Sequence, residues 1–156
     1  MNGGYVGGSC HFGSKVGSFS GRAGSQTLSC AVMFQLHCTK KLLDRIKPEI
    51  VASGPSDTAL GSWYATAIFW KPQVAVLVSE RTLLPVLMPL APAATLARRF
   101  PAQLALVLKE HGVSSEFIAQ EVWRMDKVQY AKTANRSVVG ILNEFVKQAK
   151  FWLAAY

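Results

Sequence analysis

Acidic residues are scarce. The 156-residue chain sets nine Asp and Glu against seventeen Lys and Arg, a net charge of +8, and its first 32 residues contain no acid at all. Such a surplus favours anionic partners, either nucleic acid or a small anion, although charge speaks more to association than to fold. No long Lys/Arg run concentrates it, so a basic surface without such a partner is the plainer alternative.

Long hydrophobic runs are also missing. The strongest are residues 74–78 and the proline-interrupted stretch 83–92, well short of the ~18 to 20 residues that cross a bilayer. No membrane association is expected. The Gly- and Ser-rich start lacks the basic-then-apolar order of a secretory signal, which points to a cytoplasmic protein.

Cysteine is sparse: Cys10, Cys30 and Cys38 cannot all pair within one chain, so reduced thiols are expected. Cys10-His11 and His37-Cys38 are adjacent pairs rather than the spaced pairs of a zinc site, and no metal is expected. Nor does the region expected to fold contain a Walker-type phosphate loop, a G-x-G-x-x-G run or a G-x-S-x-G elbow. No cofactor is implied, and these absences lower the weight of an enzymatic reading.

What is present divides at Met33. Residues 1–32 hold eight of the twelve glycines and six serines without hydrophobic periodicity, and are expected to be a disordered extension. From Met33 onward the sequence predicts one α+β domain, a small mostly antiparallel sheet with helices packed on it, over residues 33–156. Met33 itself reads as the original start. Phe34, Leu36 and Cys38 alternate with Gln35, His37 and Thr39 as in a half-buried strand. Thr39 is then placed to cap a short helix that ends before Pro48.

Residues 63–70 and 73–79 read as an antiparallel hairpin, and 82–88, weakened by Pro85, as an edge strand. A helix follows with Pro101 in its first turn and Gly112 as its stop; Ser114 caps the next, with Val113 set to staple against Ile118. Residues 127–132 form a last strand. A long helix begins near Asn135 or Ser137, with Val138, Ile141, Leu142, Phe145, Ala149, Trp152 and Leu153 on its core stripe. The order is β-α-β-β-β-α-α-β-α.

The segment Lys132, Thr133, Ala134, Asn135, Arg136 and Ser137 joins a strand to a helix N-terminus, where unpartnered N–H groups and the helix dipole favour an anion. Arg136 can grip a phosphate through two parallel hydrogen bonds, and Lys132 adds a second charge. Thr133, Asn135 and Ser137 are equally ordinary caps. Lys40 and Lys41 repeat the pattern at the first strand-to-helix junction; if the first and last strands adjoin, the two junctions form one basic rim. A solvated helix face accounts for these lysines as well.

Glu80 and Arg81 interrupt apolar strands and need partners, either Arg136 for Glu80 or Glu144 for Arg81, and could support the same site from behind. No residue is nominated as catalytic. His37 lies opposite Leu36 on its strand, and His111 ends a helix whose dipole a cationic imidazole would complement.

The segments LHCTKKLL (36–43), GSWYA (61–65), SERTLL (79–84) and YAKTANRSVVG (130–140) together resemble a family of short bacterial proteins known as a domain of unknown function. The resemblance runs from Met33 to Phe145 and implies a stand-alone small domain with no activity, cofactor or partner to carry over. Three functions therefore stand at this point. The first is a basic module binding a phosphate-bearing ligand or nucleic acid. The second is a small phosphodiesterase or RNA-cleaving enzyme with Glu80 or His37 as base and Arg136 stabilising charge. The third is a protein-interaction domain. Oligomeric state is left open.

Overall fold

The computed structural model describes residues 32–155. The Gly/Ser-rich extension therefore lies, but for its last residue, outside the described part. The strands are β1 (Met33–Cys38), β2 (Trp63–Ile68), β3 (Val74–Ser79), β4 (Pro85–Pro89) and β5 (Lys127–Lys132). The helices are α1 (Lys40–Ile46), α2 (Leu96–Glu110), α3 (Ser115–Trp123) and α4 (Arg136–Ala154), in the order the sequence predicts.

The strands make one sheet in the order β4-β3-β2-β1-β5. It is mixed and mostly antiparallel: β2 and β3 pair over six residues and β3 and β4 over five, whereas β1 runs parallel to β5 over six and to β2 over three. β2 occupies the centre, and all six of its residues are buried, as two covered faces require. β4 is an edge strand bounded by Pro85 and Pro89, where a missing N–H costs no internal ladder bond. It starts three residues later than the sequence suggests, because Ser79 Oγ accepts from Thr82 N and Oγ1, holding residues 79–82 in a turn.

The period-2 alternation of the strands sorts side chains into two cores. Phe34, Leu36, Trp63 and Leu77 face α1, α2 and α3, with Phe100 edge-on to Trp63 at 4.8 Å. Tyr64, Ile68, Val76 and Val78 face α4 through Val138 and Leu142. Thus α1 and α4, which follow the neighbouring parallel strands β1 and β5, leave toward opposite faces of the sheet.

Several local expectations change. Pro101 is the sixth residue of α2 rather than in its first turn; burying Leu96, Ala97 and Phe100 outweighs the single intrahelical bond that proline removes. Trp152, placed on the core stripe by its spacing, is 63% exposed. Gly112 does stop α2, at a φ of +73° that disfavours any side chain. Ser114 caps α3 by accepting from Phe117 N.

Glu121 on α3 is buried, and its two carboxylate oxygens accept from Ala59 N and Leu60 N at 2.9 and 3.0 Å. It pins the turn that leads into β2. At the end of that turn Gly61 has φ +78°, and a Cβ there would lie 2.9 Å from Arg81 Cγ.

Candidate anion-binding site

The site is set by strand register. Cys38 at the end of β1 pairs in parallel with Lys132 at the end of β5, so the two strand-to-helix junctions leave the sheet side by side. Adjacent parallel strands whose following helices diverge to opposite faces leave a crevice beyond their carboxyl ends, the usual ligand position in open sheets with such a switch point.

Lys40 and Lys41 are the first residues of α1, Lys132 is the last of β5, and Arg136 is the first of α4; all four are exposed. Among the described residues the one ion pair is Glu144 with Lys147, so none of these four cations is in an ion pair. The pairings considered for Glu80 with Arg136 and Arg81 with Glu144 do not form. Arg81 instead donates from Nη1 to the Ala59 carbonyl at 3.2 Å, away from the rim.

Thr39 does not cap α1 with its side chain. Its Oγ1 lies 2.9 Å from Thr66 Oγ1 on β2, a cross-strand contact that competes with capping. At α4, Asn135 is the cap: its Oδ1 accepts from Ser137 N at 3.1 Å and Val138 N at 3.4 Å. The amides of the last helix are therefore largely self-satisfied, and side-chain cations rather than N–H groups are what this junction offers an anion. Thr133 is partly buried and Ser137 exposed.

Behind the rim runs a polar chain. Asn135 Nδ2 donates to Glu80 Oε1 at 3.3 Å, which places a carboxylate beside the positive end of α4, and Asn135 N donates to the Tyr64 hydroxyl at 3.2 Å. Tyr64 stacks on His37 with ring centroids 4.6 Å apart. His37 Nδ1 lies 2.9 Å from the Lys132 carbonyl oxygen. A carbonyl only accepts, so Nδ1 carries the proton and, in the neutral ring, Nε2 carries the lone pair. Burial pushes the Tyr64 hydroxyl above its ordinary pKa, and the Glu80 charge adds to that shift while the Asn135 N–H opposes it.

Beside His37 on the same face, buried Gln35 donates from Nε2 to Gln129 Oε1 at 2.8 Å, and Gln35 Oε1 has no partner. Sequence reasoning passed over Thr66 and Gln129, and read Gln35 only as part of a strand's alternation and Tyr64 only as part of an aromatic strand. Their available signal is parity: Gln35 and His37 share one face of a strand whose other face is apolar.

A family profile described as a domain of unknown function, DUF6933, matches residues 35–156. The chain belongs to the DUF6933 family. No curated protein and no solved structure matches it. Roles within this DUF6933 domain accordingly rest on its own geometry. Among its described residues no cluster of three or more His, Cys, Asp or Glu is placed to hold a metal, and no helix is long and apolar enough to cross a membrane. Cys38 is buried and unpaired, and burial pushes its thiol up to about 12, so it stays protonated and unreactive at neutral pH.

Proposed function

We propose that this DUF6933 domain binds a phosphate-bearing ligand, nucleic acid foremost, across the rim formed by Lys40, Lys41, Lys132 and Arg136. The observation that carries the reading is the parallel register of Cys38 with Lys132, which brings two basic junctions, 90 or more residues apart in sequence, to one edge of the sheet. Four exposed cations that form no ion pair are open to a ligand, and phosphate neutralisation by such groups makes binding strongly salt-dependent. Asn135, anchored through Glu80 and Tyr64, fixes the start of α4 and with it the root of Arg136. The same reading takes the protein as bacterial and cytoplasmic, a setting in keeping with its family resemblance and its reduced, buried Cys38.

The test is a titration of the isotopically labelled chain with a single-stranded RNA oligonucleotide, followed by amide NMR. Shifts gathered at residues 39–41 and 132–137 support the reading; shifts elsewhere, or none, refute it.

A second reading, a small phosphodiesterase or RNA-cleaving enzyme, draws on one observation, the Nε2 lone pair that the His37 hydrogen bond enforces. The burial of His37, 2% exposed, weighs against its direct contact with a substrate. RNA hydrolysis by the purified chain that disappears in His37→Gln would favour this reading over simple binding.

A further inference from the structure

The hairpin of β2 and β3 rises past the rim. The last parallel pair between β1 and β2 is Cys38 with Ala65, after which β1 gives way to α1 while β2 continues through Ile68 and turns back over residues 69–73. At ~3.3 Å per residue, Phe69 stands roughly 13 Å beyond Ala65 along the strand direction. The foot of α1 keeps contact with the rising strand, Thr39 Oγ1 lying 2.9 Å from Thr66 Oγ1. The hairpin is therefore a wall beside the crevice, on the side away from β5.

Its turn holds two aromatic residues with different surroundings. Trp70 is partly buried against the cluster of Tyr64, Ile68 and Val76 under α4, which anchors the turn. Phe69 is 50% exposed and stacks on no other aromatic ring among the described residues. Phe69 and Gln73 are the next positions beyond the Ile68–Val74 pair. Alternation carried one step on from Ala67 and Ala75, both in the core that α1 covers, sets these two side chains on the α1 face.

Cations lead from the rim to that ring. Arg45 on α1 donates from Nη2 to Gln73 Oε1 at 3.4 Å, which holds its guanidinium at the neck of the hairpin where Phe69 leaves the sheet. Lys41 precedes Arg45 by one helical turn on the same face of α1, whereas Asp44, the one acid of that helix, falls on the Lys40 side. Lys41 and Arg45 are exposed, and neither is in an ion pair. A polyanion that follows Arg136, Lys132, Lys41 and Arg45 thus arrives at an exposed aromatic side chain. In a nucleic-acid strand the group able to stack there is a base, and only an unpaired base has a face to give, since those of a duplex are already stacked on their neighbours.

We propose that the rim takes single-stranded rather than duplex nucleic acid, with phosphates on Lys41, Lys132 and Arg136 and one unpaired base stacked on Phe69. The proposal rests on the reading of the rim as a nucleic-acid site and names the form of the ligand. Every base has a π-face, so stacking of this kind tolerates any sequence.

The experiment is fluorescence-anisotropy binding of the full chain to a short single-stranded DNA, to its duplex, and to an abasic strand of equal length, which keeps the phosphates and lacks the bases. The unmodified strand is expected to bind about fivefold or more tightly than the abasic one. Phe69→Leu, which keeps apolar bulk without a ring, should remove that margin, and Phe69→Trp should keep it. If Phe69→Leu lowers the urea midpoint, the comparison of unmodified and abasic strands on the parent chain still decides. Equal affinity for those two strands overturns the proposal, as does duplex bound as tightly as single strand. In either case, weakening by Lys132→Glu with Arg136→Glu would leave the rim standing as a phosphate site. Absence of binding by all three ligands overturns the rim reading and this proposal together.

Discussion

His37 lies flat against Tyr64, its ring 12° from parallel, while its Nδ1 donates to the Lys132 carbonyl of the neighbouring strand. The imidazole thereby ties together β1, β2 and β5, the three strands that position the basic rim. It also fixes the tautomer. Two-bond proton–nitrogen NMR spectra near pH 8 should show a pyridine-type Nε2 and a protonated Nδ1 for His37; the opposite pattern would mean that the Lys132 bond is not made.

Glu121 should matter more than any carboxylate at the rim. Glu121→Ala removes the acceptor of two N–H groups at Ala59 and Leu60, one of them buried, and should cost about 2 to 5 kcal/mol in urea unfolding. Glu121→Gln keeps one acceptor oxygen and should cost less. Equal, small losses in both variants would show that water satisfies the turn.

Asn135 is placed to distinguish capping from pairing. Asp caps a helix as well as Asn does, but Asn135→Asp would set a carboxylate against Glu80 in place of the present N–H donor. We expect Asn135→Asp to destabilise the domain by about 1 kcal/mol at pH 7. Glu80→Gln introduced with it should restore most of that loss. A double-mutant cycle with no coupling would dissolve the contact.

Burial raises the Cys38 thiol from 9.0 to about 12, so the folded state holds this proton more tightly than the unfolded chain. The stabilisation is complete below pH 9 and is lost as pH rises toward 12, with a slope approaching ~1.4 kcal/mol per pH unit for one proton. Cys38→Ala should flatten the alkaline limb of the stability profile. In the folded protein, modification of Cys38 by a thiol reagent at pH 8 should be limited by opening of the domain.

The order of elements was legible because each carries a local signal: alternation in β1, the aromatic and β-branched run of β2 and β3, Gly112 and Ser114 between α2 and α3. Helix bounds were less so where packing overrode a local rule, as at Pro101. The pairing of β1 with β5 has no local signature, since it joins Met33 to Lys127 and Cys38 to Lys132 across most of the chain. Glu121 was opaque for a related reason. A lone acid beside the apolar stripe of a helix looks solvated, and the turn it holds lies about 60 residues earlier. At the candidate site, residue types at the two junctions were readable from sequence, whereas the polar chain from Glu80 through Asn135 and Tyr64 to His37 depends on sheet order.

The most direct test of the rim is fluorescence-anisotropy binding of the full chain to single-stranded RNA, single-stranded DNA and duplex DNA at 50 and 200 mM salt, beside the double variant Lys132→Glu, Arg136→Glu. Both positions are exposed, so the variant should unfold at the same urea concentration as the parent. The account predicts binding that weakens steeply with salt and falls by about tenfold or more in the variant. No binding at low salt, or equal binding by parent and variant, would contradict it.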